Sequence, residues 1–80
     1  MSSDRLPLSD LVPGMTAVIT DIGQAPLLLR RRLIDFGVME GASVSVIKKL
    51  PLRGPVEIEC NGQLLALRHR DCRTIEVRVP

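Results

Sequence analysis

The chain has 80 residues, of which 45 % are hydrophobic and 25 % are charged, the proportions of an ordinary folded domain. This length excludes a second domain, and no apolar run approaches the roughly 20 residues that a membrane-spanning helix needs. The formal net charge of +2 conceals a concentration of basic residues in the middle and late chain, which makes an acidic partner surface plausible. The single aromatic residue, Phe36, argues against a binder of single-stranded nucleic acid, because such proteins stack bases on aromatic rings.

The beginning of the chain carries no recognisable export signal. Residues 1–9 have neither the basic region nor the apolar stretch of a signal peptide. We therefore expect a soluble cytoplasmic protein in which Cys60 and Cys72 are free thiols.

The first elements expected are a short helical turn and a strand. Ser9 is placed to cap a turn over residues 10–12, and Pro13 and Gly14 then turn the chain. Residues 15–22 are rich in valine, isoleucine and threonine, which predicts the first strand.

One helix is predicted over residues 26–36. Proline suits the first position of a helix, and Gly37 suits the position just past its end. Leu29, Leu33 and Phe36 recur at i, i+4 and i+7, so we expect these three side chains to face the core.

The other side of this helix carries Leu27 and Ile34 beside Arg30 and Arg31. Either the N-terminal segment covers this apolar strip or a partner protein does. Apolar residues scattered on a surface need no functional explanation, so cover within the domain is the simpler reading. If a partner binds, these four residues are its candidate contacts, together with Leu52 and Arg53 at an exposed loop tip.

The second half of the chain predicts four strands. Valine and serine alternate from Ser43, which indicates a half-buried strand over residues 43–50, followed by a loop over residues 52–55. Residues 56–68 form the clearest pattern, a hairpin in which Val56, Ile58 and Cys60 alternate with two glutamates before the turn. Asn61 and Gly62 then supply the residue pair that a type I′ hairpin turn favours. A short turn over residues 69–73 then leads into a final strand through Ile75, Val77 and Val79.

Short strands with one helix predict a mainly β domain over residues 1–80, a small barrel or roll of about five strands. Cys60 shares its strand face with Val56 and Ile58 and should point into this core. Cys60→Ser should therefore destabilise the domain, whereas Cys72→Ser should not.

No catalytic constellation is recognisable. His69, the only histidine, lies between two arginines, and no nucleophile, base and orienting group can be assembled around it, so no enzyme activity is expected. His69 and Cys72 are weak candidates for a metal site, because a closed site usually needs four ligands.

The three consecutive arginines at residues 30–32 fan around a helix and do not form one stripe. Small basic barrels nevertheless bind nucleic acid, so this function stays as the alternative.

Three segments together resemble the FeoA-type proteins. They are LSDLVPGMTAVI at residues 8–19, RRRLIDFGVMEGASVSV at residues 30–46 and GPVEIECNGQLLALRHRDCRTIEV at residues 54–77, the last with the Ala-Leu-Arg signature at residues 66–68. This chain departs from the family pattern at two positions. Glu40 stands where the family commonly has proline before glycine, and Cys72 stands where alanine is usual.

The resemblance implies an SH3-like β-barrel that has no cofactor and no catalytic activity. It further implies a cytoplasmic accessory of ferrous iron uptake, which binds and modulates a FeoB-type permease with a GTPase domain and meets the membrane only through it. Nucleic acid is not among the implied partners, and weak self-association stays open. The same domain resembles the C-terminal domain of diphtheria-toxin-repressor-type regulators, so a metal-sensing module is a further alternative.

Overall fold

The computed structural model describes residues 5–80 and arranges them around one antiparallel sheet of six strands. The strands are β1 (Arg5–Pro7), β2 (Thr16–Asp21), β3 (Ser43–Lys49), β4 (Val56–Cys60), β5 (Gln63–Leu67) and β6 (Glu76–Arg78). The helices are a 3-10 helix (Leu8–Asp10), α1 (Leu27–Asp35) and α2 (His69–Cys72).

The strands follow the order β1-β6-β2-β3-β4-β5. Within residues 5–80 no pairing joins β1 to β5, so the sheet is a small open roll rather than a closed barrel. The mainly β, SH3-like prediction is confirmed, with six strands where about five were expected.

The additional strand is β1, in which Arg5 pairs with Arg78 and Pro7 with Glu76. Three residues without alternation give no strand signal in the sequence, and β1 is stabilised by its pairing with the distant strand β6.

The first helical turn begins earlier than predicted. It covers Leu8–Asp10, and no side chain caps it, because Ser9 lies buried inside the turn rather than ahead of it. Leu8 and Leu11 are both fully buried, so this placement turns two leucines into the core.

Helix α1 confirms the predicted helix and ends in a Schellman motif. Gly37, at φ 77°, donates its N–H to Ile34, and Val38 donates to Leu33 at 2.8 Å. Leu29 and Leu33 are buried as predicted, but Phe36 is 41 % exposed. The prediction for Phe36 was wrong because the helix stops at Asp35, and the fully buried residue at this end is Val38 instead.

The hairpin of β4 and β5 is confirmed. Val56 pairs with Leu67 and Cys60 with Gln63, and the turn residues Asn61 and Gly62 have φ values of 56° and 78°. Cys60 points inward and is 1 % exposed, as its strand parity predicted.

Cys72 is as deep in the core as Cys60, with no exposed surface, and both thiols are free. One turn of α2 places it there. Because Cys72 is buried, Cys72→Ser would also bury a hydroxyl, so the expectation that this substitution is neutral no longer holds. The sequence pattern gave no sign that the turn after β5 packs on the core.

A β-bulge in β3 decides which lysine faces the core. Val46 pairs with Ile58 and Lys48 with Glu57, so Ile47 is the extra residue and Lys49 shares a face with Val56. The Lys49 ammonium donates to the carbonyl oxygens of Ser9 at 2.8 Å and Leu11 at 3.0 Å. By placing Lys49 on this face, the bulge allows its ammonium to link the N-terminal turn to the sheet.

Candidate protein-binding surface

The outer face of α1 presents a stripe of three exposed side chains, Leu27, Arg31 and Ile34, spaced at i, i+4 and i+7. Leu27 is 60 % exposed and Ile34 is 45 % exposed. Leu29 and Leu33, which anchor the helix, lie on the opposite side and are buried. We call these three residues the α1 stripe.

Arg30 differs from Arg31, although the sequence grouped them. Its side chain is half-buried and folds back along the helix, where Nη2 donates to the carbonyl oxygen of Ala25 at 3.4 Å. Its Nε is buried and has no hydrogen-bond partner within the described residues. The structure thus gives Arg30 a contact at the start of α1 and leaves Arg31 on the surface.

The loop between β3 and β4 ends in a tight turn whose two central residues, Leu52 and Arg53, have φ values of 60° and 57°. Gly54 donates its N–H to the carbonyl oxygen of Pro51 at 3.1 Å and closes the turn. Two central residues with positive φ define a type I′ turn, which normally contains asparagine or glycine. Leu52 is 99 % exposed at the tip.

A groove of about 680 Å³ lies between α1 and the β5–α2 segment. Leu28, 74 % exposed, and Arg32 line it from the helix, while Ala66 and Leu67 line it from the edge strand β5. Arg68, Arg70 and Asp71 form its polar end.

A second cleft, of about 360 Å³, is lined by residues from the turn tip and from α2 and its flanks. We call it the arginine cleft; its lining residues are Arg53, Pro55, Arg68, His69, Arg70 and Arg73. It shares Arg68 and Arg70 with the groove beside α1, so the two depressions are neighbours.

The sequence did not predict this cleft. Its signal was present in LRHRDCR at residues 67–73, where four basic residues other than Arg53 stand close together. Arg53 joins them only through the tertiary fold, and nothing local in the sequence marks that contact.

The weak metal candidates His69 and Cys72 face different environments. His69 lines the arginine cleft, whereas the Cys72 side chain is buried. Burial, with a smaller contribution from the Asp71 carboxylate and an opposing one from Lys49, raises the pKa of the Cys72 thiol to about 12. A thiol that stays protonated is a poor ligand, and residues 5–80 contain no group of three or more His, Cys, Asp or Glu side chains that could hold a metal ion.

Neither helix nor any other helical segment in residues 5–80 has the length and apolarity needed to cross a bilayer.

Comparison with known proteins finds one family model that matches nearly the whole chain. The model of the FeoA domain matches residues 6–79. A Fe(2+) transport protein A/Fe(2+) transporter FeoB fusion protein of Porphyromonas gingivalis is 32 % identical over 72 residues, which are 90 % of this chain and 8 % of the fusion protein. The chain thus spans only a small part of that curated relative.

Solved structures match the fold closely. The solution structure of the FeoA protein from Chlorobium tepidum superimposes with a TM-score of 0.87 at 38 % identity, covering 92 % of this chain and 70 % of that one. A manganese-dependent transcriptional repressor in complex with manganese matches with a TM-score of 0.88 at 16 % identity, covering 100 % of this chain and 39 % of the repressor. At that identity the second match shows the shared fold alone.

Proposed function

The chain belongs to the FeoA domain family, and from this premise we propose that it is a non-enzymatic accessory of ferrous iron uptake. It works in the cytoplasm by binding a FeoB-type permease with a GTPase domain and modulating its activity, and it has no cofactor of its own. Its contacts are the α1 stripe and the turn tip at Leu52 and Arg53.

The observation that carries this proposal is the fusion relative. Its printed name joins a Fe(2+) transport protein A to the transporter FeoB in one polypeptide. Covalent linkage raises the effective concentration of one module at the other to the millimolar range for short flexible linkers, which favours a direct contact between the two. We carry that contact over to this chain.

The composition of the α1 stripe suits a protein contact. Two apolar side chains flank one arginine, and protein interfaces combine apolar centres with arginine. Arg31 makes no ion pair within the described residues, so its guanidinium is available to a partner carboxylate.

The test is co-purification of the tagged protein with the detergent-solubilised permease, followed by titration against the isolated cytosolic domain. Ile34→Asp should weaken binding by about tenfold or more, because a charge in an apolar interface is left unpaired. The matched control is Ile47→Asp, since Ile47 is 47 % exposed and Ile34 is 45 % exposed. Ile47 lies in the bulge of β3 and outside the proposed surface, so this variant should bind like the parent.

Two results would contradict the proposal. One is equal loss of binding in both isoleucine variants while both remain folded, which would place the contact elsewhere. The other is recovery of RNA or ribosomes without permease, which would favour the nucleic-acid alternative.

A further inference from the structure

The arginine cleft gathers positive charge from two separate segments of the chain. Arg53 comes from the turn between β3 and β4, Arg68 precedes α2, Arg70 lies within it and Arg73 follows it. All four side chains are exposed, and no carboxylate is among the residues that line the cleft. Asp71, the acidic residue nearest in sequence, lines the neighbouring groove instead.

Within residues 5–80, these guanidinium groups have no anionic partner. The ion pair found in residues 5–80 joins Arg5 to Glu76 at 3.8 Å, and it involves none of the four. Like charges held around one cleft repel each other, and an anion that enters it relieves the repulsion. Arginine forms paired hydrogen bonds with carboxylate and phosphate groups. The occupant that fits by charge is therefore an anion.

The surroundings of the cleft favour a protein segment over a nucleic acid. Pro55 forms part of the wall, and Leu52, next to Arg53 in the chain, projects from the turn with 99 % exposure. An exposed apolar side chain beside Arg53 gains nothing from contact with a phosphate backbone. Base stacking is also missing, because Phe36, the only aromatic residue, lies at the end of α1 and does not line the cleft.

The backbone of the turn supports a binding role for its side chains. Leu52 and Arg53 adopt φ values of 60° and 57°, a left-handed backbone that is unfavourable for residues with a side chain. Asparagine and glycine would form the same turn at lower cost. Strain of this kind clusters at ligand-binding positions.

We propose that the arginine cleft binds an acidic protein segment, whose carboxylates pair with Arg53, Arg68, Arg70 and Arg73 and which sets an apolar side chain against Leu52. This inference rests on the proposed function and deepens it, because it gives the partner contact a chemistry. The segment lies in the cleft and extends toward the groove along Arg68 and Arg70, which line both.

The experiment titrates the isotopically labelled protein with a short synthetic peptide of alternating glutamate and aspartate around one leucine, followed by amide chemical shifts. The expected result is a set of shifts confined to residues 52–55 and 67–73. Arg68→Ala and Arg73→Ala should each weaken the peptide about tenfold. The matched control is Arg78→Ala, an exposed arginine of β6 outside the cleft, which should leave affinity unchanged.

Three outcomes would overturn the proposal. They are equal shifts with the glutamine and asparagine version of the peptide, shifts centred outside the cleft, and tighter binding at the same salt concentration by a DNA duplex or inorganic phosphate. The peptide titration uses no permease. Peptide binding without permease binding would refute only the proposed partner, and permease binding without peptide binding would refute only the acidic segment.

Discussion

The side-chain amide of Asn61 donates a hydrogen bond to the carbonyl oxygen of Gly37 at 3.2 Å. The contact joins the β4–β5 turn to the end of α1, and both residues have positive φ values, 56° and 77°. A Cβ atom on Gly37 would overlap the Asn61 amide nitrogen. A side chain at position 37 is therefore possible only if the Asn61 amide moves away from this contact.

Gly37→Ala should destabilise the domain more than Gly62→Ala. The two glycines have nearly equal φ values, 77° and 78°, so both variants carry the same backbone cost of roughly 1 to 2 kcal/mol. A Cβ on Gly62 meets open space, whereas one on Gly37 must displace Asn61 and break its hydrogen bond. Urea denaturation of both variants measures the difference. Equal losses would show that the Asn61 contact contributes nothing to stability.

Leu33→Ala should lower the free energy of unfolding by about 2 to 5 kcal/mol, because Leu33 is fully buried and the substitution leaves a cavity. Phe36→Ala removes a larger side chain, yet it should cost less than Leu33→Ala, since Phe36 is 41 % exposed. Thermal and urea denaturation of the two variants give the comparison. A larger loss for Phe36→Ala would return this side chain to the core, where the sequence pattern predicted it.

Lys49→Met should destabilise the domain by roughly 1 to 3 kcal/mol, because the ammonium serves two carbonyl oxygens of the N-terminal turn that would lose their donor. Lys48→Met is the matched control. Lys48 is exposed and makes no hydrogen bond or ion pair within residues 5–80 beyond its strand pairing, so its loss should be within about 0.5 kcal/mol. Hydrogen exchange should also quicken at Leu11 in the Lys49 variant alone. Equal stability of both variants would contradict the assignment of the bulge.

Local signals predicted those parts of the fold in which neighbouring residues decide the structure. Asn61 and Gly62 specify their turn by positive φ, and Pro26 and Gly37 bound the helix, so these elements agree with the structure. The exposure of Phe36 depends on where the helix stops. The choice of Lys49 over Lys48 depends on a bulge that cross-strand register sets, and strand periodicity alone does not contain it.

The candidate site divides in the same way. Leu27 and Ile34 could be placed on the outer face of α1 from helical spacing, and both are exposed. Helical spacing did not separate Arg30 from Arg31. The contact of Arg30 with the Ala25 carbonyl oxygen depends on the path of the backbone just before the helix begins. The arginine cleft combines Arg53 with residues that follow β5, a juxtaposition that only the folded sheet creates.

Cys72 should make the domain less stable at alkaline pH. Its pKa is raised from 9.0 to about 12 by burial and by the Asp71 carboxylate, so the folded state keeps the proton that the unfolded state loses. The stability from this group is complete below the unfolded pKa and is lost as pH rises from about 9 to about 12. One pH unit above the unfolded pKa, the loss is about 1.4 kcal/mol.

The measurement is the free energy of unfolding as a function of pH for the parent and for Cys72→Ala. The variant is less stable at neutral pH because it leaves a cavity, so the comparison uses the slope with pH and not the absolute value. The alkaline slope should be shallower in the variant by the contribution of one group. Identical slopes would mean that the Cys72 thiol ionises freely in the folded state.

Replacing Leu52 and Arg53 together by asparagine and glycine should stabilise the domain while it weakens binding. Leu52 and Arg53 occupy the left-handed region, and the Asn-Gly pair adopts a type I′ turn at lower cost. A gain of roughly 1 to 2 kcal/mol in the free energy of unfolding is expected.

The same double variant loses the 99 % exposed leucine and one guanidinium of the arginine cleft, so its affinity for the permease should fall by about tenfold or more. The control is the double variant with alanine at both positions, which removes the side chains but keeps the backbone strain. It should bind as weakly as the Asn-Gly variant without the gain in stability. The comparison of the two variants separates the effect of the turn's backbone on stability from the effect of its side chains on binding. Because the Asn-Gly variant is more stable than the parent, its loss of binding cannot result from unfolding. Full retention of permease binding by the Asn-Gly variant would remove the turn tip from the contact surface and leave the α1 stripe as its remaining candidate.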